Sequence, residues 1–205
     1  MRILSLAAIV LALGACTTTR QAERRALEAA DWRSIVTESD TKRLRGWRGD
    51  FTRALQKARA AGHGATIEGE GRLLDPDAAI PGAVPNGNYS CRIIKLGGQG
   101  SGLLDYIAYP DFACRVSQDG AVQYFAKLGG SQRPMGRVYR ADAMRSVFLG
   151  TLLLGDETRP MRYGSDPERS LAGWVERIEP GRWRIVLPAP HFESMTDVIE
   201  LVPAG

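Results

Sequence analysis

Few residues in this chain have the types and spacing for chemistry, and His191 heads them. It is one of two histidines and stands in Pro188-Ala189-Pro190-His191-Phe192-Glu193-Ser194, with Asp197 close behind. An imidazole titrates near neutrality and can act as a general base; with Glu193, Ser194 or Asp197 it would make a hydrolase. Catalytic triads are fixed by geometry in space, however, and adjacency in the chain does not provide it. The stretch also follows a proline-rich strand exit. A loop or packing role is therefore the expectation, and a weak hydrolase using His191 the alternative. Arg177 and Arg184 flank Pro180-Gly181 and are expected to face each other on a hairpin, where like charges repel. They would either receive an anion or pair with Glu176, Glu179 or Glu200, and pairing is preferred. No catalytic residue is assigned.

Three further motifs read as structure. Gly97-Gly98-Gln99-Gly100-Ser101-Gly102 has the glycine density of a phosphate loop, but that mechanism needs a helix N-terminus behind the loop. Here Leu103-Leu104-Asp105-Tyr106 continues as strand, so a flexible hairpin loop is expected. Asp75-Pro76-Asp77 lacks the remaining ligands and glycine of a calcium loop and reads as a turn. His63 lies beside the helix stop Gly62-His63-Gly64 and reads as structural. No motif points to a metal or another cofactor.

The start of the chain carries an address. Arg2 precedes an apolar run from Ile3 to Leu13, closed by Leu13-Gly14-Ala15-Cys16. This is the layout of an export signal, and the run is shorter than the roughly twenty residues that span a bilayer. Leu-Gly-Ala-Cys resembles the lipobox of bacterial lipoproteins. The resemblance implies that Cys16 is lipidated and becomes the first residue of the mature chain, held firmly by its acyl chains. Thr17, where an aspartate would favour inner-membrane retention, points to the periplasmic face of the outer membrane.

Lipidation of Cys16 leaves Cys91 and Cys114 as an even pair in an oxidising compartment. They lie in Tyr89-Ser90-Cys91-Arg92-Ile93 and Phe112-Ala113-Cys114-Arg115-Val116, where each shares a strand face with an aromatic and a β-branched residue. The pair lacks Cys-x-x-Cys spacing and histidine neighbours, which weakens a metal or redox reading. A structural disulfide is expected.

The elements that must position these residues fall into four parts: a signal over 1–15, a lipidated tether over 16–30, a helical segment over 31–62 and a β domain over 63–205. Leu44, Trp47, Phe51, Leu55 and Ala58 recur at three- and four-residue steps and predict a helix over 40–61, capped by Asp31 or Ser39. The β domain is the expected cover for its Trp47/Phe51 edge. Beyond Gly62 the helical period disappears, and 69–88 reads as a loop. Alternating runs then predict strands over 88–96, 104–109, 112–117, 121–128, 136–140, 146–154, 171–179, 182–187 and 195–202. Asp119-Gly120 and Pro180-Gly181 supply hairpin turns, the second bringing Ile178 near Trp183, and Ala141 to Arg145 is read as one helical turn. The fold expected is α+β, an N-terminal helical segment packed on an antiparallel barrel or sandwich of eight to nine short strands.

Charge is uneven. From Arg20 to Ala61 there are eleven Lys/Arg against six Asp/Glu, and from Gly62 onward fifteen against seventeen. A basic segment beside a lipid anchor can attract anionic head groups, although a solvated helix face is the preferred account. Without a basic aromatic surface, nucleic acid is not an expected partner.

Asp31-Trp32-Arg33, the 40–61 helix and Gly87-Asn88-Tyr89-Ser90-Cys91-Arg92 form a set with Phe148-Leu149-Gly150, Gly173-Trp174-Val175-Glu176-Arg177-Ile178 and Arg182-Trp183-Arg184. Together they resemble an uncharacterised domain-of-unknown-function family, number 4893, of Gram-negative envelope proteins. The resemblance implies an envelope setting and carries over no catalytic residue. The function expected is a non-enzymatic binding or interaction module whose partner is a small ligand or an envelope protein. An inhibitor of an envelope lytic enzyme or protease is the alternative beside the hydrolase.

Overall fold

Eight of the nine strands close into an antiparallel barrel, and one helix lies along its wall. The computed structural model describes residues 30–205; Cys16 and the signal and tether assigned to the first residues lie outside them. The strands are β1 (Gly87–Gly98), β2 (Tyr106–Ala108), β3 (Phe112–Asp119), β4 (Val122–Lys127), β5 (Gln132–Arg140), β6 (Arg145–Leu154), β7 (Ser170–Glu179), β8 (Arg182–Pro188) and β9 (Ser194–Pro203). Each pairs antiparallel with its neighbour in the order β2-β1-β3-β4-β5-β6-β7-β8-β9, and β9 returns to β1. β2 is the extra strand. β1 pairs with β3 over Gly87 to Cys91, then exchanges it for β2 over Ile94 to Leu96.

The helix α1 (Glu38–Ala58) begins at Thr37, whose hydroxyl accepts from the Asp40 amide at 3.2 Å. Neither residue expected to cap it does so. Asp31 caps the short 3-10 turn Trp32–Ser34 instead, and Ser39 is the second residue of the helix. Extended backbone at Thr37, φ −69° and ψ 160°, is what a cap requires. Gly62 breaks the helical run at φ 95°, a left-handed conformation that costs glycine little. The helical run does not stop there. A second short helix, α2 (Gly64–Gly69), and a 3-10 turn, Gly71–Leu74, follow. The stretch expected as loop therefore sends Leu73, Leu74 and Ala78 into the core. Helical periodicity cannot reveal segments this short.

Strand parity sorts the core into two layers. Tyr89, Cys91, Ile93, Val116, Phe125, Phe148, Val175, Ile185 and Ile199 fill the barrel. The alternate residues Ile94, Leu96, Val186 and Val198 face outward against Trp47, Phe51, Leu55 and Ala58 of α1. The β domain does cover the helix edge. Eight strands give an interior that side chains can just fill, and here the turns of the chain plug one end. Residues 78–86 cross that end, Val84 joining Tyr89 and Trp183 in the barrel core, with the Val84 carbonyl accepting from Gln123 at 3.0 Å.

One register and one connection differ from expectation. A bulge between Arg177 and Glu179 shifts the β7–β8 hairpin, so Trp183 lies opposite Arg177 and Ile178 turns outward against α1. One extra residue sends the following side chains to the other face. Residues Ala141 to Arg145 form a bend, not the expected helical turn: the Asp142 carboxylate accepts from the amides of Met144 and Arg145.

Cys91 and Cys114 form the expected disulfide between β1 and β3, Cα atoms 5.9 Å apart, inside the barrel. Closing a loop with a sequence separation of 23 stabilises by about 3 kcal/mol in the chain-entropy account. The Cys91→Ala/Cys114→Ala variant is expected to lose about that much in urea unfolding at neutral pH, without reductant. A loss below roughly 1 kcal/mol would show that the pair does not staple the barrel.

Candidate functional site

The two arginines assigned to a shared hairpin lie on opposite faces and do different work. Arg184 is 0 % exposed on the outer wall beneath the 3-10 turn. Its Nε and Nη2 donate to Glu176 Oε2 at 2.9 and 2.7 Å, and its Nη1 donates to the Leu73 and Asp75 carbonyls, each at 2.7 Å. Glu176, its cross-strand neighbour, also accepts from Arg145. Burial lowers the Arg184 guanidinium from its ordinary value, against the pull of Glu176. All three guanidinium nitrogens donate to protein, so Arg184 is a structural clamp. Arg177 lies at the plugged end, donating to the Glu179 carbonyl at 3.3 Å and the Pro81 carbonyl at 3.4 Å.

His191 is exposed. Among the described residues no hydrogen bond joins it to Ser194, Glu193 or Asp197. Ser194 donates to Asp197 instead. His63 stacks on Tyr106 with centroids 5.3 Å apart. Asp75-Pro76-Asp77 is a turn in which the Asp75 carboxylate accepts from the Asp77 amide. The glycine-rich loop is held at several points. Lys57 of α1 reaches the Gly98 carbonyl and Asp105, and the Gln99 side chain donates to the Pro190 and Ser194 carbonyls. Among the described residues no group of three His, Cys, Asp or Glu side chains could hold a metal ion.

What the structure brings together is a set of charges inside the open end of the barrel. Lys95 follows Ile93 on the inward face of β1 and is 5 % exposed. Its amine lies 3.3 Å from Asp197 on β9 and 3.2 Å from Glu193 in the β8–β9 loop. Burial by itself would lower this amine, but the two carboxylates outweigh it and hold it above the ordinary lysine value. Asp197 is raised from the ordinary carboxyl range by burial, against Lys95 and Ser194. Glu193 is held at φ 69° and Ala189, at the start of the same loop, at φ 44°. Residues with a side chain adopt this left-handed region at a cost of about 1–3 kcal/mol each, and here it turns the Glu193 carboxylate towards Lys95.

Lys127 completes the set from the end of β4. It is 2 % exposed, donates to the Gly129 and Gln132 carbonyls at 2.6 and 3.0 Å, and lies 3.5 Å from the centre of the Phe112 ring. Among the described residues it has no carboxylate partner. Burial, then Arg133 and Lys95, push its amine down to about 8. Lys95, Lys127, Gln132 and Glu193 line one cavity of about 240 Å³ with Ile93, Tyr109 and Phe112. An adjoining void of about 20 Å³ has Leu152, Leu171, Leu187 and Phe192 in its walls. The apolar floor and few convergent charges are the makeup of a small-ligand site. Lys95, Lys127 and Gln132 were missed in the sequence. Their signal was parity: both lysines fall on the strand faces that also carry Ile93 and Phe125.

The fold and site together define a disulfide-stapled β-barrel, plugged at one end and charged at the other, with a helix clamped to its wall. The chain belongs to the domain of unknown function family DUF4893, whose model matches residues 32–201. No curated protein and no solved structure matches it.

The depressed Lys127 amine has a consequence for stability. The unfolded chain's lysine titrates near 10.5 and the folded one at about 8, so between these values the unfolded state binds more protons. Stability contributed by this group therefore rises with pH from about 8 to 10.5, and below about 8 the cost of the buried charge is fully present. Urea unfolding from pH 7 to 10.5 should show Lys127→Met gaining most over the parent at pH 7, with the difference shrinking as pH rises. A pH-independent difference would refute the assignment.

Proposed function

We propose that this protein is an envelope lipoprotein, anchored through Cys16, whose barrel binds a small ligand in its open mouth. The observation that carries the reading is the cavity of about 240 Å³ lined by Lys95, Lys127, Gln132, Glu193, Tyr109 and Phe112. Barrels of eight strands hold a single small ligand when their interior is not completely filled. Lys95, Lys127 and Asp197 are buried at this mouth, and the opposite end is filled by Val84, Tyr89 and Trp183. The loops around the mouth are fixed to one another, by Gln99 to the Pro190 and Ser194 carbonyls and by Arg133 to the Gly130 and Gly155 carbonyls. A site built before its ligand arrives loses less freedom on binding.

Support for the envelope setting is chemical. The Cys91–Cys114 disulfide is of the kind that persists in an oxidising compartment. The remaining cysteine is Cys16, at the end of a short apolar run that follows Arg2. Within this reading the basic α1 lies near the membrane surface, and Lys42, Arg45, Arg48, Arg53 and Lys57 are its exposed cations.

Native mass spectrometry of the protein purified from its own envelope fraction tests the binding reading. A retained small molecule, released by denaturation and lost in a Ser131→Trp variant that fills the mouth, is the expected result. A parent protein with no added mass, and a mouth to which a fragment library does not bind, would overturn it. Anchoring is tested separately. Cys16→Ser should move the protein from the membrane fraction to the soluble one, and unchanged fractionation would refute lipidation.

A further inference from the structure

We infer that the mouth selects a small organic monoanion, a carboxylate on an apolar body, with Lys127 as the group that receives the charge. The inference rests on the mouth being a binding site and adds the chemistry of what enters it. Lys95 and Lys127 line the same cavity but differ in how their charge is balanced. Lys95 faces two carboxylates, Glu193 and Asp197, within 3.3 Å, and is neutralised by them. Lys127 faces two carbonyls and an aromatic ring. These groups satisfy N–H donors and stabilise a cation, but they carry no countercharge, and a buried charge is costly unless it is paired. Arg133 adds a further positive charge acting on Lys127; its own donors go to the Gly130, Gly155 and Glu157 carbonyls. The β4–β5 side of the cavity is thus electropositive and the β1–β9 side balanced to acidic.

This asymmetry sorts the candidate ligands. A monoanion placed against Lys127 meets a cation that lacks a partner, and its body rests on Tyr109, Phe112 and Ile93. A dianionic phosphate would gain at Lys127 but set its second charge towards Glu193 and Asp197. An organic cation would find both carboxylates already engaged by Lys95. A neutral molecule would gain the apolar contact and leave the Lys127 charge unbalanced. The volume of about 240 Å³ admits one aromatic ring or a short chain beside the carboxylate, and lies just below the roughly 300–1,000 Å³ usual for drug-sized ligands.

Equilibrium dialysis of the full chain in detergent, with benzoate, benzamide and inorganic phosphate as probes at pH 7, tests the assignment. Benzoate should bind saturably and tighter than its neutral isostere benzamide by roughly tenfold or more, the worth of a hydrogen bond to a charged group. Phosphate should bind more weakly than benzoate. Lys127→Met should reduce benzoate binding to the benzamide level, and Lys127→Arg should keep the preference. Because an anion beside the amine stabilises its protonated form, benzoate should also raise the Lys127 pKa above about 8, as read by NMR of reductively 13C-methylated lysine. Equal binding of benzoate and benzamide to the parent protein would overturn the anion assignment, and this arm needs no variant. So would unchanged benzoate binding in Lys127→Met. In both cases the mouth still binds, so the broader reading survives. If no probe binds and native mass spectrometry shows no retained mass, both readings fall together.

Discussion

A fully buried arginine sets the terms on which this barrel wears its helix. Arg184 stands on the outer wall of β8 with its charge matched by Glu176 on β7 and its remaining donors spent on the carbonyls of Leu73 and Asp75. Unpaired, such a group costs several kcal/mol, and removing one partner of a buried pair is destabilising by about 3–5 kcal/mol. The 3-10 turn therefore has one position in which the arginine is satisfied, and that position seats Leu73 and Leu74 between the wall and α1. The same Glu176 receives Arg145, which lies over the Trp47 ring of α1 at 4.9 Å. Two cations and one carboxylate thereby tie the hairpin, the helix and the connecting turn into one body.

The wall and the mouth solve the same electrostatic problem in opposite ways. On the wall, donors and charges are both accounted for, and the Arg184 and Glu176 side chains are each 0 % exposed. At the mouth, Lys95 is balanced and Lys127 has its donors satisfied but not its charge. Burial alone does not separate the two arrangements, since Arg184 is 0 % and Lys127 2 % exposed. What separates them is the countercharge and the adjoining space.

Much of the architecture was legible because barrel strands obey a period of two. The expected strands match the nine observed, and Cys91 and Cys114 meet on the inward face because Tyr89, Ile93, Phe112 and Val116 share it. The doubled apolar pairs Ile93-Ile94, Ile185-Val186 and Val198-Ile199 are strands buried on both faces, the outer one by α1. Two things were not legible. The bulge after Arg177 flips the hairpin's faces without altering its composition, so Arg184 met Glu176 instead of Arg177. The site itself depends on which strand ends converge, and closure of β9 onto β1 is what places Asp197 against Lys95. Asp197 and Glu193 were noticed as possible companions of His191, yet the loop at Ala189 and Glu193 sends the carboxylate inward and leaves the imidazole outside.

The disulfide lies where the barrel is most prone to open. β1 pairs with β3 only as far as Cys91 opposite Phe112, then leaves it to pair with β2. Beyond that fork the ladder between β1 and β3 is absent, and the mouth begins. Cys91 is the last paired residue of β1 on that side, and Cys114 is two residues from Phe112, so the crosslink closes the fork at its apex. Phe112 is also the ring beneath the Lys127 amine. The position of the unbalanced cation relative to Lys95 on β1 is consequently set across a seam whose β1–β3 ladder stops at Cys91. A crosslink at the plugged end would close a comparable loop and leave this seam free. At the fork it adds to the stability of the fold next to Phe112, a wall of the cavity.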